Sequence, residues 1–592
     1  MCGINVIFDF SGKAETSHLH RMMKATHHRG PDTSNFLKSD TGTARLFMGA
    51  NRLQIIDKLE ASNQPLVSLN GRYALVFNGE IYNYEEIRND LLHEGIQFNT
   101  HSDTEVLLFQ LIKRGIEGIA KLNGMFAFVF ADLDSGELIV ARDRMGIKPL
   151  FVHKSKKQII ISSEINGILA SGLVAKELNE EVIPHYLAYK YAPRPSTFYK
   201  QIEEIEQGAI WEVTATGRVE KSIIQAPSKS GRNVPLKNLL IDAVVQQYSQ
   251  ANTTGIMLSG GVDSTLLLAI LNKELGYNHV PVYSIAGTGK DSSYASQAAR
   301  QYKAEYNEVN VTENTLSRLD EYLATIDQPI ADSAALLTWL IAEKASGNSK
   351  VLLSGAGADE LFAGYNRHKA FYTYLKNRDK LWFKEIKKAG QLPNWSGTLS
   401  GLKKMAKAMD PNPSVTFNNF IQSDFFRLTP APLWEEELSV EQHLRNGLLH
   451  DLRNYLESDV LAITDHATMQ HSIEARVPYL DAQVIAFSEN ISSEELLADG
   501  NKWMLKEILI GYEGGDYAKR KKHGLGLPIN SWFKKQDQKD WWDFNQKESQ
   551  IHTFVTSQVI DELIQKHQSG KVDHSQELWR ILVLHKWLEH NF

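Results

Sequence analysis

The sequence predicts two successive units. The first is a layered α+β unit of many short strands, and the second is a parallel-sheet α/β unit with a helical C-terminal part. Three observations lead there. Short apolar or alternating runs ("RYALVFNGEIYN", "FAFVFAD", "ELIVARD", "PLFVHK", "QIIISSE") crowd the first 213 residues between turn signals such as Asp134-Ser135-Gly136. Beyond the polar stretch at 225–233 ("QAPSKSGRN") the texture changes to strand–loop–helix repeats. Such alternation implies a parallel sheet with ligands at the carboxyl ends of its strands. Finally, 592 residues are too many for one core. The expected division is 1–213, a linker at 214–234, and a second unit at 235–592.

Within the first unit, Ile4, Val6, Ile7 and Phe8 form an apolar run that reads as a buried strand. The stretches "NYEEIRNDLLHEG" and "DTEVLLFQLIKRG" read as helices closed by Gly95 and Gly115. In the second unit, "TTGIMLSGGVDSTLLLAILNKELG" and "KVLLSGAGADELFAGY" are strand–loop–helix segments, and "VPVYSIAG" and "NEVNV" are further strands. From Tyr365 onward the pattern is mostly helical. It ends in an amphipathic segment whose Trp579, Leu582, Val583 and Leu584 read as a packed face.

Hydrophobic residues at 42% and charged residues at 23% are ordinary for a globular protein. A net charge of −7 gives no general attraction to nucleic acid or to anionic membranes. No apolar run is long enough to span a bilayer and no signal peptide precedes Cys2, so a cytoplasmic protein is expected. A single cysteine excludes an internal disulfide framework and a cysteine-rich zinc site. His18, His20, His27 and His28 lack partner cysteines and metal-helix spacing, and His27 and His28 read as structural.

That one cysteine, Cys2, directly follows Met1. Once Met1 is removed, thiol and α-amino group would belong to one residue, and the amine can activate the thiolate as an N-terminal nucleophile. A cysteine attacking an amide needs an oxyanion hole, which Asn78 and the Gly79 N–H could form. Arg52 could meet a substrate carboxylate, and Asp103 a substrate ammonium.

The sharpest local signal is Ser259-Gly260-Gly261-Val262-Asp263-Ser264, between a strand and a helix. Small residues let backbone N–H groups approach a phosphate, and the helix N-terminus adds its positive end. Asp263 can hold magnesium against the same anion. It is not the Walker loop, because no Gly-Lys-Ser/Thr closes it. "SGAGADELFAGY" supplies a second glycine loop with Asp359 and Glu360 opening a helix. A basic run at 519–523 precedes "GLGLP", from which a lysine could reach a polyphosphate.

Together these segments resemble the glutamine-dependent asparagine synthetases over nearly the whole chain. C-G-I, H-R-G-P-D, N-R-L-x-I-I-D, N-G-E-I-Y-N and S-D-T-E-V are similar, in order, to a class II glutamine amidotransferase. S-G-G-V-D-S and S-G-A-G-A-D-E are similar to an ATP pyrophosphatase, and "HSIEARVPYLD" and "KKHGLGLP" also fit the family. The resemblance implies an Ntn-hydrolase-type αββα fold, then an ATP-pyrophosphatase fold. It implies that Cys2 attacks glutamine, that Asn78 and Gly79 hold the oxyanion, and that Arg52, Asp103 and Glu80 bind the amino-acid end. Ammonia would pass inside the protein to an acyl-adenylate made from ATP and aspartate or another carboxylate. Leu258, Ser259, Gly260, Gly261, Asp263, Ser264, Ile285, Ser354, Gly355 and Lys522 would bind ATP, Asp263 and Asp359 would hold Mg2+, and a homodimer is conceivable. Two departures bear on the acceptor. Ala356 stands where the family often has an acid, and His466 replaces an arginine in D-R-x-S/T-M.

Overall fold

The structure is a computed structural model that describes residues 2–592 apart from 41, 58, 226–233, 249–253, 287–289, 381–382, 384, 386–399, 430, 521–524, 535–541, 543 and 546–547. The first unit stacks two antiparallel six-stranded sheets. One runs in the order Glu203–Glu204, Phe151–Lys154, Gln158–Ser162, Cys2–Asp9, Arg45–Arg52, Thr33–Asp40. The other runs Val219–Ile223, Ala209–Val213, Glu137–Arg142, Gly124–Asp132, Tyr73–Ile81, Leu66–Val67.

Side chains alternate across each strand, so one strand serves two interfaces. Ile4, Val6 and Phe8 point between the sheets, into a core with Val76, Val129 and Val140. Ile7 points the other way, towards Leu19, Met22 and Ile168 on the helices Thr16–Ala25 and Ile165–Ala170. On the opposite sheet Leu75 and Phe77 pack outward on Leu91, Val106 and Leu107 of the helices Tyr84–His93 and Asp103–Arg114. The result is the expected helix–sheet–sheet–helix sandwich. The boundary expected at 213 is corrected: Val219–Ile223 pairs antiparallel with Ala209–Val213, so the first unit continues through that hairpin.

The second unit holds a five-stranded parallel sheet in the order Glu305–Asn310, Pro281–Ala286, Thr254–Met257, Val351–Leu353, Glu474–Arg476. Thr254–Met257 comes first in the chain yet lies in the middle, so the strand order reverses between it and Val351–Leu353. That switch point is where parallel α/β sheets open a crevice, and the two glycine loops follow these two strands.

Helices make up most of the remainder. The closing helix Ser575–Asn591 buries Trp579, Leu582, Val583 and Leu584 as expected. Its Trp587 also reaches the first unit, with its ring edge-on to Phe198 at 5.0 Å between centroids. The segment Asp451–Leu461 is a π-helix, which the apolar pattern does not foretell. Among the described residues no helix is long and apolar enough to cross a membrane.

Candidate active sites at Cys2 and at the two glycine loops

Cys2 opens the central strand of the first sheet, and register places it directly opposite Arg52. A cavity at this corner is lined by Cys2, Arg52, Gln64, Gly79, Glu80 and Asp103, among others. The Cys2 nitrogen donates to Asn78 Oδ1 at 3.1 Å, and Gln64 Nε2 approaches Cys2 Sγ at 3.5 Å. Asn78 Nδ2 is buried without a partner. A buried orphan donor costs free energy unless something accepts from it. Gly79, with φ of 154°, lies so close to the neighbouring strand that a Cβ would stand 2.0 Å from Met125 O. Glycine is therefore required there.

Arg52 is buried and donates to Asn63 Oδ1 at 3.1 Å and to the carbonyl oxygen of Asp57 at 2.5 Å. Burial opposes ionisation of Asp57, but hydrogen bonds from Leu59, Ser62 and His101 hold its carboxyl below the usual range. Asp103 opens the helix Asp103–Arg114, whose N-cap is Ser102, and accepts from the Ile81 N–H at 3.1 Å. Burial pushes its carboxyl up to about 6. Burial also pushes the Cys2 thiol above its ordinary value, with Arg52 pulling the other way, so the thiol needs a base.

Glu80 lines the same cavity, but its carboxylate pairs with Arg476 of the second unit. Burial favours the neutral form of Glu80, while Arg476 holds Glu474, 2.7 Å from its Nε, ionised against that same burial. The Glu80 side chain thus ties the units together, while both Glu80 and Asp103 line the cavity. Nearby, Arg29 bridges Glu164 at 3.0 Å and Asp465 at 2.8 Å, and Glu164 also takes His28 at 2.9 Å. This gives His28 the structural role expected of it.

Between the units lies a cavity lined by Arg29, Arg142, Glu164, Asp327, Glu457 and His466, among others. It extends from Ser163, whose Oγ accepts the Ile4 N–H at 3.1 Å, to Ile463, which also lines the glycine-loop pocket. His466 Nε2 is buried without a partner, and burial pushes its imidazole down to about 4. The residue that departs from the family pattern is therefore a neutral ring lining this cavity.

The pocket at the switch point brings together Leu258, Ser259, Asp263, Ser264, Ile285, Ser354, Gly355, Ala356 and Asp359. The Ser259 N–H donates to Ser264 Oγ at 3.1 Å, which folds the first loop onto its helix Val262–Lys273. Gly260 adopts φ of 67° and lies against the helix Lys290–Gln301, where a Cβ would be 2.5 Å from Ala295 N. Arg520 donates to Gly260 O. Gly261 is the N-cap of the helix. A Cβ on Gly355 would meet Asp263 Cβ at 2.9 Å, so glycine lets the two loops close on one another. Lys522 lies outside the described residues.

Lys502 Nζ stands between the two aspartates, 2.5 Å from Asp263 Oδ2 and 2.7 Å from Asp359 Oδ1. Burial opposes its charge, but the two carboxylates push the ammonium up to about 12. A cation thus fits between these two carboxylates. Farther in, Lys190 bridges Asp332 at 2.5 Å and Asp459 at 3.1 Å under Tyr455. Sequence reasoning missed Gln64, Lys502 and the Lys190 cluster, since none belongs to a recognisable spacing; Arg520 lay within the basic run at 519–523. Only the turn at Gly500 before a helix hints at Lys502.

A family model described as a glutamine amidotransferase domain matches residues 1–223, and one described as asparagine synthase matches residues 235–589. Similar curated proteins include "Asparagine synthetase [glutamine-hydrolyzing] 1" of Bacillus subtilis (strain 168), 27% identical, covering 99% of this chain and 96% of that protein. A "Putative asparagine synthetase [glutamine-hydrolyzing]" of Mycobacterium bovis is 29% identical, covering 98% of this chain and 93% of its own length. With the fold, the Cys2 corner and the paired glycine loops in place, the match over residues 235–589 shows that this chain belongs to the asparagine synthase family.

Proposed function

We propose that the protein hydrolyses glutamine at Cys2 and uses the ammonia to amidate aspartate with ATP, giving asparagine, AMP and pyrophosphate. The observation that carries the reading is the interdomain cavity, whose lining includes Ser163, bonded to Ile4 of the Cys2 strand, and Ile463, which also lines the glycine-loop pocket. The Cys2 α-amine, held by Asn78, takes the thiol proton, and the thiolate attacks the glutamine side-chain amide carbon. Asn78 Nδ2 and the Gly79 N–H stabilise the oxyanion while Arg52 and Asp103 hold the carboxylate and ammonium of glutamine. Ammonia leaves with a proton, and water then cleaves the thioester to release glutamate.

At the second pocket an acceptor carboxylate oxygen attacks the α-phosphorus of ATP and pyrophosphate departs. Residues 259–264 hold the pyrophosphate, with Leu258 and Ile285 towards the base and Lys522 as a further phosphate contact. Asp263 and Asp359 would hold magnesium, which neutralises phosphate charge when bound. Ammonia then attacks the acyl-adenylate and AMP leaves. Transfer through the protein keeps ammonia unprotonated, the nucleophilic form.

Incubation with amide-15N glutamine, ATP and aspartate tests this: labelled asparagine should form with matching AMP and pyrophosphate. A second reading has its own support. Ala356 leaves the pocket without the acid the family often places there, and the charged residues among those described as lining it are Asp263, Asp332, Asp359 and Asp459. Such a pocket has room for a different, larger carboxylate, such as a sugar acid or a peptide. Glutamine hydrolysis without asparagine would select that reading.

A further inference from the structure

The aspartates that would hold metal are already bridged. Lys502 Nζ reaches Asp263 Oδ2 at 2.5 Å and Asp359 Oδ1 at 2.7 Å, and its side chain is 5% exposed. Asp263 and Asp359 come from different loops, so this ammonium joins the two loops at the switch point. The surroundings are shaped to admit it. Lys502 adopts φ of 54°, an uncommon conformation for a residue with a side chain, as its N–H donates to Phe362 O at 3.2 Å. Asn501 Nδ2 donates to Gly364 O at 2.9 Å. At Gly364 a Cβ would stand 2.2 Å from Lys502 Cε and 2.0 Å from Asp359 Oδ1, so only glycine leaves room for the bridge.

A divalent ion arriving alone would have to evict a buried ammonium and leave it without a counter-charge. Nor would it find enough ligands: among the described residues no group of three or more His, Cys, Asp or Glu could hold a metal. Magnesium dehydrates reluctantly and is commonly bound by one or two carboxylates together with substrate phosphates. A nucleoside triphosphate supplies both missing parts, oxygen ligands for the metal and an anion for the displaced lysine, which acts as a point charge on a flexible stem.

We propose that Lys502 is an exchangeable counter-ion: it holds Asp263 and Asp359 together in the free enzyme, excludes free divalent metal, and yields only to metal that arrives with a nucleoside triphosphate. The proposal rests on the nucleotide site described above. Lys502 is on this view a positioning residue, and metal binding rather than turnover reads it.

Manganese is the probe, followed on the full-length protein by water-proton relaxation, which separates protein-bound from nucleotide-bound metal. Wild-type protein should bind manganese weakly alone and firmly with α,β-methylene-ATP. Lys502→Met should bind manganese alone about tenfold more tightly or better, the range over which groups beside metal ligands act. Adding Asp263→Asn to Lys502→Met should remove that gain. Tight binding of manganese alone by the wild type overturns the exchange, whether or not Lys502→Met folds. So does a folded Lys502→Met protein that gains nothing. No protein-bound manganese even with the nucleotide analogue overturns the nucleotide site itself, a different result from the other two.

Discussion

Asn78 grips the Cys2 nitrogen through its Oδ1 at 3.1 Å while its buried Nδ2 has no partner. In the proposed reaction this one side chain has two tasks, orienting the base and donating to the oxyanion. The roles separate by substitution. Asn78→Asp keeps an acceptor for the nitrogen but replaces the donor with a carboxylate oxygen. Glutamine kcat should fall about 10²- to 10³-fold, as when one oxyanion donor is lost elsewhere. KM should change little, because Arg52 and Asp103 hold the other end of the substrate. A steady-state glutaminase assay decides it, and a pure KM effect would assign Asn78 to binding instead.

Cys2→Ala should abolish glutamine hydrolysis and leave amidation by added ammonia intact, because the nucleophile and the glycine loops lie at different sheets. Equal loss of both activities would reject the two-site reading. Mass spectrometry of active enzyme should find Cys2 as the first residue. A preparation that retains Met1 should lack glutaminase activity, with the proposed base tied up in a peptide bond.

Asp103 should impose a pH limit. Burial raises its carboxyl to about 6, so it is ionised above that pH and neutral below. The neutral form gives a substrate ammonium no counter-charge. The glutamine KM should therefore rise as pH falls through about 6 and stay level above it, while ammonia-dependent amidation keeps a separate profile. The sign for stability is the opposite. A raised carboxyl pKa means that the folded state favours the proton, so this group's contribution is largest at low pH and declines as pH rises towards about 6. Asp103→Asn should remove the KM inflection at the cost of a high KM at every pH.

Most of the Cys2 corner was legible in the sequence because each residue sits in a short polar motif beside an apolar strand, where alternation fixes the face it takes. Cys2 and Arg52 met because their strands pair in register. The glycine loops were legible for a similar reason, since small residues between a strand and a helix have few other uses. Glu80 lay in the right motif, yet its carboxylate is taken by Arg476, a partner 396 positions away that no local pattern connects to it. Lys502 and Lys190 escaped for the same reason: a lone lysine reads as solvated surface until the fold brings distant aspartates to it. The π-helix Asp451–Leu461 has no periodic signature distinct from the α-helices around it, yet it carries Tyr455 and Asp459 into the glycine-loop pocket and Glu457 into the interdomain cavity.

Ala356 gives the last prediction, on the acceptor. It lines the pocket together with Asp263 and Asp359, and its N–H donates to Ser354 Oγ at 3.3 Å. With aspartate as acceptor, a short substrate leaves that space open, and Ala356→Glu restores the acid the family often carries. Its kcat/KM for aspartate should stay within about threefold of wild type, under about 1 kcal/mol in barrier. A larger acceptor would instead occupy the space, and the new carboxylate would crowd and repel it. A loss of about tenfold or more, near 1.4 kcal/mol, with unchanged glutaminase activity would therefore move the acceptor from aspartate to a larger carboxylate.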